Sequence, residues 1–222
     1  MSNYVLTLQW TRCPDGAEFI PATKKKVGLV RYRSDRREPY NRRLEEASDL
    51  IVTDFLNAGD MAGPNLIRFV DQHGFPYEAT PGSVELPELL QARAELGEIW
   101  NAYGAGDLDE AVTRFRDAAG QVIKWQTATG DPRSYQAKNL SAVSGIQPDM
   151  RFHDGRPVLA LSISTLYGFM LMETGLVITG GSQVMRCEHC GAIFVTGTGT
   201  GRRNTSRYCS NRCRVAAQRD SK

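Results

Sequence analysis

The sequence predicts an α+β chain: a predominantly helical body over residues 1–180 and a small C-terminal treble-clef zinc finger over residues 181–222. Three observations carry that prediction. Apolar residues recur at helical spacing through the middle of the chain, two segments near the start alternate like strands, and four of the five cysteines fall within the last 36 residues.

Taken in order, Tyr4 to Trp10 places Val5, Leu6, Leu8 and Trp10 in rough alternation and reads as a strand. Cys13-Pro14-Asp15-Gly16 is a turn signal, and Val27 to Arg33 is a second strand with Val30 and Tyr32 on one face. Ser34 to Arg43 is charged enough to be expected as a loop. Helices are expected over Leu44 to Asn57, Pro64 to His73 with Gly74 as its stop, Ser83 to Tyr103, and Asp107 to Ala119. Gln121 to Ile146 is only weakly periodic and receives no assignment. Met150 to Leu161 is expected to be a hairpin turning at Asp154-Gly155. Ser162 or Ser164 would cap a last helix running to Glu173, and Thr179-Gly180-Gly181-Ser182 is the linker candidate before the cysteine module.

No basic region followed by an apolar run stands at Met1 to Leu6, so no secretory signal is expected. The longest uncharged stretch, Pro157 to Met172, has 16 residues. A membrane-spanning helix needs about 20. A cytoplasmic protein with no membrane partner is the expectation.

Cys187-x2-Cys190 and Cys209-x3-Cys213 are two tight pairs separated by 18 residues. Disulfides are unexpected in a cytosolic chain, and close pairs joined by a loop have the spacing of a metal site. One structural Zn2+ suits four thiolates, because zinc is redox-silent, accepts tetrahedral sulfur, and then keeps no open position for water. Around this site a knuckle at Cys187 to Gly191, an apolar strand Ala192 to Val195 and a helix from the second pair follow treble-clef order. Such a helix would aim its positive end at the thiolates.

The residues Arg186-Cys187-Glu188-His189-Cys190-Gly191-Ala192-Ile193-Phe194, then Arg202-Arg203 and Tyr208-Cys209-Ser210-Asn211-Arg212-Cys213, resemble the bacterial CGNR zinc-finger family. Where that family has Cys-Gly-Asn-Arg, this chain has Cys213-Arg214-Val215-Ala216. The resemblance implies a helical N-terminal domain of the ABATE kind, a terminal finger, and a role as a DNA-binding transcriptional regulator.

The net charge of +2 conceals an uneven distribution. Residues 44–186 hold 19 acids and 10 bases, residues 24–43 hold 9 bases and 2 acids, and residues 187–222 hold 7 bases and 2 acids. Six of the last seven bases are arginines: Arg202, Arg203, Arg207, Arg212, Arg214 and Arg219. Arginine forks suit phosphate and guanine edges. The expectation is a helix carrying Arg212, Arg214 and Arg219 in a major groove, with Arg202 and Arg203 on phosphates. A solvated basic tail, or docking of these bases on the acidic body, is the alternative. The segment Lys24 to Arg43 is either a second basic arm or a charged hairpin edge that discourages aggregation. The body would sense a ligand or form a homodimer.

Enzymatic readings find little support. Gly197-Thr198-Gly199-Thr200-Gly201 lacks the Lys-Ser/Thr of a phosphate loop, and no His-x-Glu precedes a Pro-Cys-x-x-Cys. A His-metal nuclease would need a histidine where Ile193, Phe194 and Val195 stand. His189 sits between two ligands as an alternate ligand or a solvent-facing knuckle residue. Two rivals to nucleic-acid binding remain at this point: a finger that docks on an acidic protein, and an enzyme acting on nucleic acid from an unidentified site in the body.

Overall fold

The computed structural model describes residues 4–24, 26–43, 50–59, 64–77, 82–127, 146–153, 156–197, 200 and 202–220. The strands are β1 (Tyr4–Arg12), β2 (Ala17–Ile20), β3 (Leu29–Tyr32), β4 (Glu38–Arg43), β5 (Ser83–Glu85), β6 (Ile146–His153), β7 (Arg156–Ile163), β8 (Gln183–Arg186) and β9 (Ile193–Thr196). The helices are α1 (Ile51–Leu56), α2 (Pro64–His73), α3 (Leu86–Gly104), α4 (Leu108–Thr127), α5 (Leu166–Thr179) and α6 (Asn211–Asp220). The mixture of helices with small sheets is the α+β class expected.

One sheet has the order β4-β1-β7-β6, with β1 antiparallel to β4 and parallel to β7. A second is β2-β3-β5, and β8 pairs antiparallel with β9 to form a third. The segment Ser34 to Arg43, expected as a loop, contains β4. Its charge is tolerated because β4 is an edge strand: Glu38 faces Arg12 across the ladder at 2.6 Å, and Tyr40 packs against the core. An edge also accommodates Pro39, since one of its rows of backbone groups has no strand partner.

Two helix starts move. Residues 83–85, expected as helix, are β5, where Val84 is buried opposite Val30 of β3. The last helix is capped by neither Ser162 nor Ser164. Thr165 is its N-cap, accepting the Gly168 N–H at 3.0 Å, and the helix continues past Glu173 to Thr179. The helix expected from Leu44 begins at Ile51, residues 44–49 lying outside the described residues. α4 extends beyond Ala119 to Thr127. β6 and β7 form the expected hairpin, longer at its open end, while its expected turn at Asp154-Gly155 lies outside the described residues.

Pro64 to His73 is helical over those same residues, and Gly74 ends it with φ +87°. A Cβ there would also lie 2.8 Å from the Thr11 carbonyl oxygen, so glycine serves both the left-handed turn and the close approach to β1.

The core is organised around α5. Leu166, Tyr167, Phe169, Met170, Leu171, Glu173, Thr174 and Val177 are buried on several sides of it, as expected of a helix enclosed by protein. α1 and α3 pack on it, and Trp100 of α3 donates its indole N–H to Thr174 Oγ1 at 2.9 Å. This enclosure explains the long uncharged stretch: it is β7 followed by a core helix. No helix among the described residues is long and apolar enough to cross a membrane.

Candidate metal centre

The β8–β9 hairpin brings the first cysteine pair together. Its strands run from Gln183↔Thr196 to Arg186↔Ile193, and Cys187 to Ala192 form the turn. The turn is closed by Cys187 N–H to the Ala192 carbonyl at 2.9 Å and Gly191 N–H to the Cys187 carbonyl at 2.8 Å. Gly191 has φ +72°, the left-handed conformation that lets a short loop fold back under its own sulfurs.

A helix start supplies the second pair. Cys209 precedes α6 and Cys213 stands in its first turn. Ser210 caps the helix, its Oγ accepting the Cys213 N–H at 3.2 Å. The halves are joined by Glu188 N–H to the Arg207 carbonyl at 3.1 Å and by the Arg207–Glu188 ion pair at 2.5 Å. Between them, Gly197 and Arg202 form a single antiparallel bridge.

The four sulfurs lie within 4.8 Å of one another. Cys190–Cys209 is 3.6 Å, Cys209–Cys213 is 3.5 Å and Cys213–Cys190 is 3.7 Å. Bonds of about 2.3 Å from a tetrahedral metal place sulfurs about 3.8 Å apart, whereas a disulfide requires about 2.05 Å. The cluster therefore has the dimensions of a metal site, and the four cysteines could hold a metal ion.

The thiols are not equivalent. Burial pushes Cys187 up, but backbone N–H groups of Cys209, Cys190 and His189 outweigh it and hold the thiol at about 6. Burial and the hydrogens shared with Cys213, Cys190 and Cys187 push Cys209 up to about 12. A cation would replace those shared protons, giving each sulfur a positive partner at once.

Other sequence candidates fall outside the cluster. His189 turns its Nδ1 to Asp220 at 3.5 Å, and Cys13 is buried in the body with its sulfur 3.5 Å from the Ser34 hydroxyl.

The sequence expectation put Arg212, Arg214 and Arg219 together on a groove-facing helix and Arg202 and Arg203 on phosphates; in the structure the three helix arginines do not share one side of α6. At about 100° per residue, Arg212 and Arg219 fall about 20° apart around α6, while Arg214 lies about 160° from Arg212. Five of the six are exposed and Arg202 is half-buried; Arg203, Arg212 and Arg219 form no ion pair with a described residue. Arg202, Arg207 and Arg214 line a cleft of about 470 Å³ beside the start of α6.

The N-terminal basic segment engages the body. Arg31 pairs with Glu18 at 2.5 Å and Arg36 with Asp15 at 3.1 Å. Arg33 donates to the Ala17 carbonyl, and Arg37 lies 4.4 Å from the Tyr32 ring centroid.

Sequence reasoning missed the groups that fasten the cysteine hairpin to the body. Asn57, just after α1, donates Nδ2–H to the Ile193 carbonyl at 2.7 Å and accepts the Ile193 N–H at 2.8 Å. Arg186 donates to Asn101 Oδ1 at 2.9 Å, and the Tyr103 hydroxyl donates to the Ser182 carbonyl at 2.8 Å. Ile193 and Val195 belong to the same core as Trp100 and Phe169. A lone Asn after a helix gives no sequence signal that it will bond a strand 136 residues later.

No protein-family model matches the chain, and no curated protein or solved structure does either.

Proposed function

We propose that the chain is a zinc protein whose C-terminal module is a treble clef that binds nucleic acid, DNA in the first instance, as a bacterial transcriptional regulator similar to the CGNR zinc-finger family. The observation that carries this reading is the coincidence, on one short module, of a metal-sized cluster of four cysteines with six arginines from Arg202 to Arg219. A metal would make the small α6 a rigid platform for those charges, which its own sequence could not do in isolation.

The treble-clef assignment rests on the succession of parts: cysteine pair on a hairpin turn, a second tight reversal at Gly197↔Arg202, then a helix that begins between the second pair. Zinc is favoured among metals by four-sulfur coordination without redox demand. Such a site is structural. The arginine forks supply the chemistry of recognition, since phosphate oxygens accept two parallel N–H bonds from one guanidinium.

Fluorescence anisotropy of the full chain with labelled duplex and single-stranded DNA, across a salt series, tests the reading. Several phosphate contacts require a steep linear fall of log affinity with log salt concentration. Absence of binding to either form at low salt, with metal stoichiometrically present, would remove the proposal.

A further inference from the structure

We propose that the cleft lined by Arg202, Arg207 and Arg214 beside the start of α6 is a preformed site for one phosphodiester group of the nucleic-acid backbone, separate from Arg203, Arg212 and Arg219, which no described neighbour anchors through an ion pair. It rests on the nucleic-acid reading above and assigns that reading its main phosphate contact.

Each cleft arginine is held by a neighbour in a way that leaves part of its fork free. Arg202 has its guanidinium carbon 5.5 Å from the Phe194 ring centroid, and Phe194 is itself buried in β9. Arg207 uses Nε on Glu188 at 2.5 Å. Arg214 uses Nε and one terminal nitrogen on Asn211 Oδ1, at 3.1 and 2.7 Å. Among the described residues, the two terminal nitrogens of Arg207 and one of Arg214 have no acceptor.

Long side chains immobilised before binding lose less entropy when they bind, so the anchored set should contribute more affinity per charge than Arg203, Arg212 and Arg219. Ser206 and Ser210 add hydroxyls to the same cleft, and Glu188 lies outside its lining. The cleft, of about 470 Å³, has room for a phosphate group with its ester oxygens. A phosphodiester held there positions the backbone and carries no sequence information, whereas Arg212 and Arg219 share a different side of α6.

The test compares two triple variants of the full chain that remove the same charge. R202Q/R207Q/R214Q empties the cleft, and R203Q/R212Q/R219Q strips the unanchored set. Both are measured against a labelled mixed-sequence duplex, with metal content and thermal midpoint recorded for each. The cleft triple is expected to weaken binding more than tenfold at about 50 mM salt and to flatten the log–log salt slope by about one. The unanchored triple is expected to lose less than half as much in log affinity.

A cleft variant that fails to hold metal is replaced by Asn211→Ala, which frees Arg214 without changing charge and is expected to weaken binding several-fold. Equal losses in the two triples, or an Asn211→Ala protein that binds like wild type, would overturn the pocket while leaving nucleic-acid binding in place. Inorganic phosphate at matched ionic strength should not displace the duplex at millimolar concentration. Displacement would assign the cleft to free phosphate and overturn the proposal. No duplex binding by the wild-type chain removes the functional reading and this inference together.

Discussion

The side chain of Asn57 pairs with the backbone of Ile193 as a neighbouring strand would, giving and taking one hydrogen bond at 2.7 and 2.8 Å. Ile193 opens β9 directly after the knuckle that carries Cys187 and Cys190, and it is buried. The two bonds therefore fix the cysteine hairpin against the end of α1.

Replacing Asn57 by Ala leaves a partly buried N–H and C=O without partners, each worth about 1–3 kcal/mol when unsatisfied. Urea unfolding of Asn57→Ala should show a loss of about 2 kcal/mol, with metal stoichiometry retained because no sulfur moves out of the knuckle. A midpoint equal to wild type would mean that the hairpin is held by apolar contacts alone.

Metal content gives the most direct check on the cysteine cluster. Elemental analysis of the purified chain should return one zinc per molecule. Cys187→Ala or Cys209→Ala removes one of four thiolates and should abolish stoichiometric binding. Cys13→Ala should bind zinc fully and unfold earlier, because Cys13 is 2% exposed in the core. Zinc retained at one equivalent in both cluster variants would place the metal elsewhere.

What could be read in the sequence was local. Pro64 to His73 was legible because Pro starts the helix, its apolar residues share a face, and Gly74 supplies the left-handed exit, all within eleven positions. The cysteine spacing was legible for a similar reason: one metal demands ligands at short intervals. β4 and β5 were not, since an edge strand pairing Glu38 with Arg12, or a three-residue strand before a helix, lacks both length and alternation. Asn57 and Glu173 were illegible on other grounds, as each acts on backbone more than 100 residues away. The separation of Arg214 from Arg212 and Arg219 around α6 could have been anticipated from helical period alone.

Thr165 offers a simple test of the corrected helix start. Its Oγ1 accepts the Gly168 N–H at 3.0 Å, and Thr165 is buried, so water is poorly placed to substitute. Thr165→Ala should lower stability by about 1 kcal/mol. Ser162 lies in β7 and is expected to tolerate alanine without loss of that cap. A Thr165→Ala protein as stable as wild type would show that the cap adds nothing in this setting.

Glu173 makes stability depend on pH with an unusual sign. Its carboxylate, buried in α5, accepts the N–H groups of Ile51 at 3.1 Å and Val52 at 2.8 Å, capping α1 from another helix. Burial raises its pKa from 4.5 to about 7, against the lowering effect of those two bonds. A carboxyl whose folded value exceeds its unfolded one binds the proton more tightly when folded. Its contribution is thus fully present below pH 4.5 and declines as pH rises toward 7, then levels off. The span corresponds to about 3 kcal/mol. Glu173→Gln cannot titrate, so the stability difference between wild type and variant should move against wild type by most of that amount from pH 5 to pH 8. Titrations of the cysteines are common to both proteins and cancel in the difference. A difference that stays flat, or grows in favour of wild type as pH rises, would show that Glu173 is ionised throughout and that the two α1 N–H bonds outweigh its burial.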